Sequence, residues 1–133
     1  MLSRKAPMLT VDGIIIENQK VLLIKRATEP FIDYWALPGG FVELNETTER
    51  AVEREIEEET GLTAKTKKVV GVYSKPGRDP RGHTITIAYL LETIKGTAKA
   101  TEEAREVKYF DLDNLPENIA FDHREIIEDA KKV

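Results

Sequence analysis

The chain has 133 residues, a formal net charge of −4 and no cysteine. This length suits one domain with a buried core, so we predict a single domain over residues 1–133. The mild negative charge argues against a protein that wraps nucleic acid or adheres to a membrane. The absence of thiols excludes disulfides and cysteine-based catalysis.

The N-terminal residues 1–8 hold charges and a proline where a secretory signal needs an apolar core. In addition, no apolar run in the sequence approaches the length of a membrane span. We therefore expect a cytoplasmic protein with no membrane partner.

The first part of the chain predicts a β-hairpin followed by a tight turn. β-branched residues dominate 9–16 and apolar residues return at 21–24, with a polar turn between the two runs. A connector that contains Pro30 follows, and it leads to the run Pro38-Gly39-Gly40. Such a run indicates a turn or a close approach of backbone to another group.

A helix is predicted from about Asn45 to Thr60. Asn45 is a suitable N-cap, and Glu46 and Glu49 lie near the positive end of the helix dipole. Gly61 is placed for the left-handed residue that ends many helices.

The second half of the chain predicts three strands and a terminal helix. Residues 75–82 are too rich in proline and glycine for regular structure, and the polar residues 95–105 predict a mobile loop. Asp122 is the predicted N-cap of the terminal helix, with Glu125 as its reciprocal partner in a capping box. The three strands, which share alternating or β-branched apolar residues, are 69–73, 83–92 and 106–112.

Three carboxylates crowd one face of the predicted first helix. Glu55 precedes Glu58 by three residues and Glu59 by four, and residues at these spacings are neighbours on a helix surface. Each such pair of like charges costs a few tenths of a kcal/mol, roughly, when exposed. A hard divalent cation, Mg²⁺ or Mn²⁺, would offset this repulsion. On composition alone, a solvated surface helix would also account for the charges.

The stretch from the glycine turn to the helix end resembles the signature box of the Nudix hydrolases. The pattern is G-x5-E-x7-R-E-U-x-E-E-x-G-U, where U is aliphatic, and every fixed position is matched. The matching residues are Gly40, Glu46, Arg54, Glu55, Ile56, Glu58, Glu59, Gly61 and Leu62.

The resemblance implies an α/β protein, a Nudix-type α/β/α sandwich with a central mixed β-sheet. It implies hydrolysis of a nucleoside diphosphate linked to another group, with Mg²⁺ as cofactor and Mn²⁺ as a possible substitute. By the same resemblance, the metal ligands are Glu55, Glu58, Glu59 and the backbone carbonyl of Gly39. The structural residues of the motif are Gly40, Glu46, Arg54 and Gly61, of which Arg54 and Glu46 form a charged hydrogen bond.

Substrate choice must depend on residues outside the box. Pro76 falls near the place where ADP-ribose pyrophosphatases of this family carry a proline, and 78–83 and 120–123 also resemble small prokaryotic members. Arg78 and Arg81 are predicted to pair with phosphate oxygens as planar forks. The alternative is an exposed loop whose charges are incidental.

An adenine ring needs a flat partner, and the candidates are Phe31, Tyr34 and Trp35. Packing in a core or an interface would account for these rings equally well. The resemblance also implies a general base from a loop distant from the box. Glu103 is our first choice and Glu106 the second, while a glutamate of the box itself is a third option. His83 and His123 are predicted to be structural.

These observations predict Mg²⁺-dependent hydrolysis of the pyrophosphate bond of ADP-ribose to AMP and ribose 5-phosphate. One alternative is a hydrolase of oxidised nucleoside triphosphates or of another nucleoside diphosphate derivative. Another is a non-catalytic domain that senses ADP-ribose. The expected partners are a small-molecule nucleotide and, from the family resemblance, a second copy in a homodimer, with no nucleic acid.

Overall fold

The computed structural model describes residues 5–133, so half of the N-terminal segment considered above, residues 1–4, lies outside the described part. It contains seven strands and two helices in the described range. In chain order they are β1 Met8–Glu17, β2 Lys20–Arg26, β3 Trp35–Ala36, β4 Gly39–Phe41, α1 Thr48–Thr60, β5 Thr63–Tyr73, β6 Thr84–Lys95, β7 Ala104–Asp111 and α2 His123–Ala130.

The strands form one mixed sheet in the order β3-β2-β1-β6-β5, with β4 paired to β1 and β7 paired to β2. Strands β1 and β6 run parallel, and the other pairings are antiparallel. The predicted hairpin joins β1 to β2 through Asn18 and Gln19, which both have positive φ. A two-residue turn of this kind matches the right-handed twist of the strands it joins.

Side chains of β1 and β2 alternate between the two faces of the sheet, and each face is covered by one helix. Val11, Ile15 and Leu22 pack with the α1 residues Val52 and Ile56. On the other face, a second cluster joins the sheet to α2; its members include Ile14, Val21, Leu23, Ile126 and Ile127. This is the α/β/α sandwich that the sequence predicts. Within the described residues, neither helix has the length and apolar character needed to cross a bilayer.

The predicted N-cap of α1 is wrong, whereas that of α2 is at the predicted residue but lacks the predicted capping hydrogen bond. The α1 N-cap is Thr47, whose side chain accepts a hydrogen bond from the backbone N–H of Arg50, whereas Asn45 lies in the preceding loop with φ 67°. Asp122 does precede α2 but makes no capping hydrogen bond. Its carboxylate instead pairs with Arg78. A guanidinium from a distant loop thus competes successfully for the oxygens that a capping box would use.

Several strand boundaries also differ from the prediction. Strand β5 begins six residues earlier than predicted, at Thr63, and β7 begins at Ala104, inside the predicted loop 95–105. β5 is the edge of the sheet and tolerates exposed polar residues such as Lys65 and Lys67, so its first half lacks an apolar pattern. The short strands β3 and β4 were not predicted, because two or three residues contain too little periodicity.

Candidate metal and substrate site

Three carboxylates from two segments meet at the exposed side of α1. One oxygen from each of Glu55, Glu58 and Glu103 lies within 4.8 Å of the others. Glu103 comes from the loop just before β7, so the fold brings the predicted base to two of the predicted ligands. Clustered carboxylate oxygens are the donor set that a hard divalent cation prefers.

The third predicted ligand on the helix, Glu59, is directed towards the glycine turn. Its side chain is buried, with the residue 6% exposed, and Oε1 accepts a hydrogen bond from the backbone N–H of Gly39 at 2.7 Å. This bond ties the last turn of α1 to the segment whose carbonyl is the other predicted ligand.

The environment of these carboxylates favours their protonated forms when no cation is bound. Burial raises the pKa of Glu55 to about 7, Arg54 opposes the shift, and the charges of Glu58 and Glu103 add to it. Burial also raises the pKa of Glu59 well above its ordinary value, with the neighbouring charge of Glu55 as the second cause. Negative charge is thus incompletely compensated at this place, and a bound divalent cation would supply the compensation.

Arg54 connects the loop before α1 to the helix. Its Nε donates to Glu46 Oε2 at 2.6 Å, one Nη donates to Glu55 Oε1 at 2.6 Å, and the other donates to the carbonyl of Phe41 at 3.1 Å. The hydrogen bond from Arg54, together with one from the backbone N–H of Glu43, lowers the pKa of Glu46 to about 2. This network holds the loop against α1 and fixes the position of the Glu55 carboxylate.

Glycine is required at two positions of the turn because other groups approach the backbone closely. A Cβ atom on Gly40 would lie 2.6 Å from Cδ of Glu55, well inside van der Waals contact. A Cβ atom on Gly39 would lie 2.9 Å from Cα of Asp12. Gly61 ends α1 with φ 79° and donates its N–H to the carbonyl of Glu57, as the sequence predicts.

The two arginines of the 75–82 loop have different surroundings. Arg78 is buried and donates two hydrogen bonds to Asp122, at 2.8 and 2.7 Å, and one each to the hydroxyls of Thr84 and Thr86 at 2.8 Å. Its guanidinium is therefore occupied on each nitrogen, and this arrangement does not fit the predicted phosphate contact. Arg78 therefore has a structural position, in which its hydrogen bonds connect the loop to β6 and to the start of α2.

Arg81 lines the cleft beside the glycine turn, a position suited to binding an anion. It pairs with both carboxylate oxygens of Asp79, and its guanidinium carbon lies 4.9 Å from the ring centroid of Phe41 and 5.5 Å from that of Phe121. The same cleft is lined by Arg26, which donates to the carbonyl of Pro30 at 2.7 Å. Burial lowers the pKa of Arg26, and the nearby charge of Arg81 lowers it further.

The sequence gave no role to Arg26, Asp79 or Phe121, although Asp79 and Phe121 lie in the runs 78–83 and 120–123 that resemble family members. Residues 26, 79 and 121 are separated by 42 to 95 positions, so no local spacing brings the three together. The cleft that unites them is created by strand pairing and by the packing of α2.

The three predicted aromatic partners of adenine, Phe31, Tyr34 and Trp35, differ in burial and in their distance from the cleft. Trp35 is only 9% exposed and packs in the α2-side core, with its ring 4.7 Å from that of Phe110, so its burial does not fit base stacking. Tyr34 is 40% exposed, and its ring centroid lies 5.4 Å from that of Phe31. Phe31 in turn contacts Phe121 at 4.8 Å, at the wall of the cleft.

The remaining predicted residues lie away from the cluster. Glu106 is on β7 and pairs with Lys25 at 3.3 Å, so the fold does not bring it to the carboxylate group of Glu103. His83 contacts the carbonyl of Ser74 at 2.9 Å through Nε2, which agrees with a structural position.

Comparison with known proteins identifies one family. A family model described as "NUDIX domain" matches residues 6–130. An ADP-ribose pyrophosphatase from Methanocaldococcus jannaschii is 57% identical over 123 residues, which cover 92% of this chain and 72% of that protein.

Solved structures give the same result. The NUDIX domain of Shewanella oneidensis NrtR, complexed with ADP ribose, matches with a TM-score of 0.83 and 30% identity, covering 97% of this chain and 89% of that one. A bifunctional NMN adenylyltransferase/ADP ribose pyrophosphatase from Francisella tularensis, complexed with AMP and Mn ion, matches with a TM-score of 0.86 and 29% identity. The match covers 98% of this chain but only 43% of that longer protein.

Proposed function

The chain belongs to the NUDIX domain family, and we propose that it is a hydrolase that cleaves the pyrophosphate bond of ADP-ribose to AMP and ribose 5-phosphate. The observation that supports this proposal most directly is the convergence of Glu55, Glu58 and Glu103 beside a cleft lined by Arg26 and Arg81. The two meet at the glycine turn, because Gly40 lines the cleft and is in close contact with the Glu55 carboxylate. Acidic groups suited to a divalent cation and basic groups suited to a phosphate anion thus lie side by side. The 57% identity to an ADP-ribose pyrophosphatase supports the choice of substrate.

A divalent cation fits the acidic part of the site, and we propose Mg²⁺, with Mn²⁺ as a substitute. Glu55, Glu58 and Glu59 would hold it, together with the carbonyl of Gly39. When bound, such an ion neutralises charge on the pyrophosphate and lowers the pKa of a bound water. The protein contributes rigid placement of the carboxylates, through Arg54 and through the hydrogen bond between Glu59 and Gly39.

Glu103 is our proposed general base, which takes a proton from the attacking water. Its loop position lets it reach the cluster from outside α1, where its carboxylate oxygen is within 4.8 Å of those of Glu55 and Glu58. We expect Glu103→Gln to lower kcat by about 10²-fold or more with little change in KM. Glu106→Gln is the matched control, because Glu106 is a neighbouring glutamate paired with Lys25, and its kcat should stay near the wild-type value.

Arg81 and Arg26 line the cleft and are placed to attract the phosphates. Phe31 and Tyr34 lie beside it, next to the lining residue Phe121, and offer aromatic faces for the adenine. Arg81 lies within cation–π distance of two phenylalanine rings and pairs with Asp79, which keeps its planar group ordered before substrate arrives. Such ordering reduces the entropy lost on binding. We expect Arg81→Ala to raise KM for ADP-ribose more than it lowers kcat.

A substrate panel with Mg²⁺ tests the proposal. The panel contains ADP-ribose, ordinary and oxidised nucleoside triphosphates, dinucleoside polyphosphates and nucleotide sugars, and products are separated by chromatography. We expect ADP-ribose to have the highest kcat/KM, with AMP and ribose 5-phosphate as products in equal amounts. A preference for an oxidised triphosphate would identify the alternative hydrolase, and binding of ADP-ribose without turnover would identify a sensor. Either result refutes the substrate proposal.

The carboxylate assignment has its own test. Glu58→Gln and Glu59→Gln should each abolish most turnover, whereas Glu57→Gln removes an equal charge from an exposed position of the same helix and should not. Unchanged turnover in the first two variants would refute the metal site. The homodimer is likewise part of our proposal, and a molar mass near 15.1 kDa in light scattering would refute it.

A further inference from the structure

His123, the first residue of α2, is a buried histidine with both ring nitrogens engaged. The residue is 5% exposed. Nδ1 accepts a hydrogen bond from the backbone N–H of Leu37 at 2.9 Å, and Nε2 lies 3.1 Å from Oδ2 of Asp12. Because a backbone amide can only donate, Nδ1 bears no proton, and the ring proton is on Nε2, facing the carboxylate. His123 is therefore held as the neutral Nε2–H tautomer.

Both partners of His123 adjoin Gly39, whose carbonyl is a proposed metal ligand. Leu37 precedes Gly39 by two residues, and Asp12 is the register partner of Gly39 between β1 and β4. The carboxylate of Asp12 abuts the glycine so closely that a Cβ atom there would overlap Oδ1. A displacement of Leu37 or Asp12 would therefore move the Gly39 peptide.

The backbone between Leu37 and Gly39 has a hydrogen-bond partner at each residue. The N–H of Leu37 donates to His123, the carbonyl of Pro38 accepts from the N–H of Gly13 at 2.8 Å, and the N–H of Gly39 donates to Glu59. Two of these partners lie on β1 and on α1, the helix that carries the predicted carboxylate ligands. His123 is the partner that comes from α2, the helix on the opposite face of the sheet.

We propose that His123 is a positioning residue, which fixes the orientation of the Gly39 carbonyl and thereby the affinity of the site for its divalent cation. The inference rests on the metal site of the proposed function. It assigns a role to α2 beyond the core packing of its other buried residues, Ile126, Ile127 and Ala130. The N-terminal histidine of α2 aligns a ligand that α1 does not contain. Residues that orient metal ligands in this way typically change metal affinity or activity by about 10–100-fold when removed.

The two links of His123 can be broken separately. In His123→Asn the short amide places an acceptor near the position of Nδ1, so the bond from Leu37 is kept and the contact with Asp12 is lost. In His123→Gln the longer amide reaches towards Asp12 and the acceptor for Leu37 is lost. His123→Phe keeps most of the ring volume and removes both links.

The experiment is titration of the metal-free full chain with Mn²⁺, followed by electron paramagnetic resonance of the free ion, with no substrate present. We expect His123→Phe to weaken Mn²⁺ binding at least tenfold. His123→Gln should weaken it more than His123→Asn, because the Leu37 bond acts directly on the ligand-bearing segment. In turnover assays, the Mg²⁺ concentration for half-maximal rate should rise by the same factor, with KM for ADP-ribose at saturating Mg²⁺ changed less than threefold.

Tyr73→Phe is the matched control for a merely structural effect. It removes the hydrogen bond of 2.7 Å between Tyr73 and Asp129, which also anchors α2 but lies far along the helix from His123. We expect this variant to lower Tm without a change in Mn²⁺ affinity. If the His123 variants lower Tm and leave Mn²⁺ affinity at the wild-type value, the positioning role is refuted and the histidine serves stability alone.

The outcome for the unmodified chain separates this inference from the proposed function. Wild-type protein that binds no Mn²⁺ refutes the metal site, and both proposals fail together. Wild-type protein that binds Mn²⁺ while all His123 variants bind it equally well refutes only the positioning role. Should His123→Phe fail to fold, the Asn and Gln variants decide the outcome, since each keeps one of the two hydrogen bonds.

Discussion

Replacing a proposed metal ligand, Glu55→Gln, should stabilise the metal-free protein at neutral and alkaline pH. Glu55 is 8% exposed, and burial raises its pKa from 4.5 to about 7. The folded state therefore binds a proton more tightly than the unfolded state does. Folding stability associated with this group is fully present below about pH 4.5 and is lost as the pH rises through about 7. Glutamine has no charge to desolvate and avoids that loss.

The expected gain in the free energy of unfolding follows from the raised pKa of Glu55. Each pKa unit corresponds to about 1.4 kcal/mol, so the full shift sets an upper limit of about 3 kcal/mol at pH 8. Solvent at the open side of the cluster screens the charge and reduces this value, and we expect a gain of about 1–2 kcal/mol. Glu59 adds to the gain, because the charge of Glu55 is the second cause of its raised pKa.

The assay is thermal unfolding with a chelator present, between pH 4 and pH 9. For a domain of this size the variant should exceed the wild type by about 3–8 °C in Tm at pH 8, with the difference vanishing near pH 4. With excess Mg²⁺ the order should reverse, because a ligand that binds the native state stabilises it and the variant lacks one donor.

Glu57→Gln is the control, since Glu57 is exposed on the same helix and loses the same charge. Its Tm should stay within about 2 °C of the wild type at each pH. An equal rise of Tm in both variants would attribute the effect to the net charge of the helix. A fall of Tm in Glu55→Gln at pH 8 without metal would contradict the inference that the buried, ionised carboxylate of Glu55 destabilises the metal-free folded state.

Five further substitutions, at four positions, test other parts of the structure. Gly40→Ala should lower kcat/KM by about 10²-fold with an unchanged circular dichroism spectrum, because the new methyl group displaces the flexible carboxylate of Glu55 rather than backbone. Arg54→Ala should lower the free energy of unfolding in urea by about 2–3 kcal/mol, and Arg54→Lys should restore less than half of it, since an ammonium cannot bridge three acceptors in one plane. Trp35→Ala should lower the free energy of unfolding by about 3–5 kcal/mol, because Trp35 is buried. Tyr34→Ala should lower it by less than about 1 kcal/mol and raise KM for ADP-ribose, because Tyr34 is exposed. Equal losses of stability in the two variants would contradict this distinction.

Local patterns in the sequence were sufficient for the acidic helix. The spacing of Glu55, Glu58 and Glu59 places them together on any α-helix, whatever the rest of the chain does. Gly61 ends that helix because a left-handed residue costs glycine little. The family box, the two-layer cover of the sheet and the reaction class follow from such short-range features and from their resemblance to a known pattern.

Where two residues or two partners compete for one hydrogen bond, the sequence alone predicted the wrong bond. Asn45 and Thr47 are both good N-caps, and the loop held by Arg54 decides in favour of Thr47. Asp122 has the spacing of a capping residue, but a buried guanidinium offers it stronger, charge-assisted hydrogen bonds. The same guanidinium is thereby removed from the predicted phosphate contact.

The tertiary structure alone decided which distant residues complete the acidic cluster and the cleft. Glu103 rather than Glu106 reaches the helix carboxylates, because the pairing of β7 with β2 directs Glu106 to Lys25 and leaves the preceding loop beside α1. The contact of His123 with Asp12 spans 111 positions of the chain. Helix spacing is a property of neighbours, whereas such contacts depend on sheet order and helix packing. The carboxylates of α1 were therefore predictable from the sequence, whereas the choice of Glu103 over Glu106 and the roles of Arg26 and His123 required the tertiary structure.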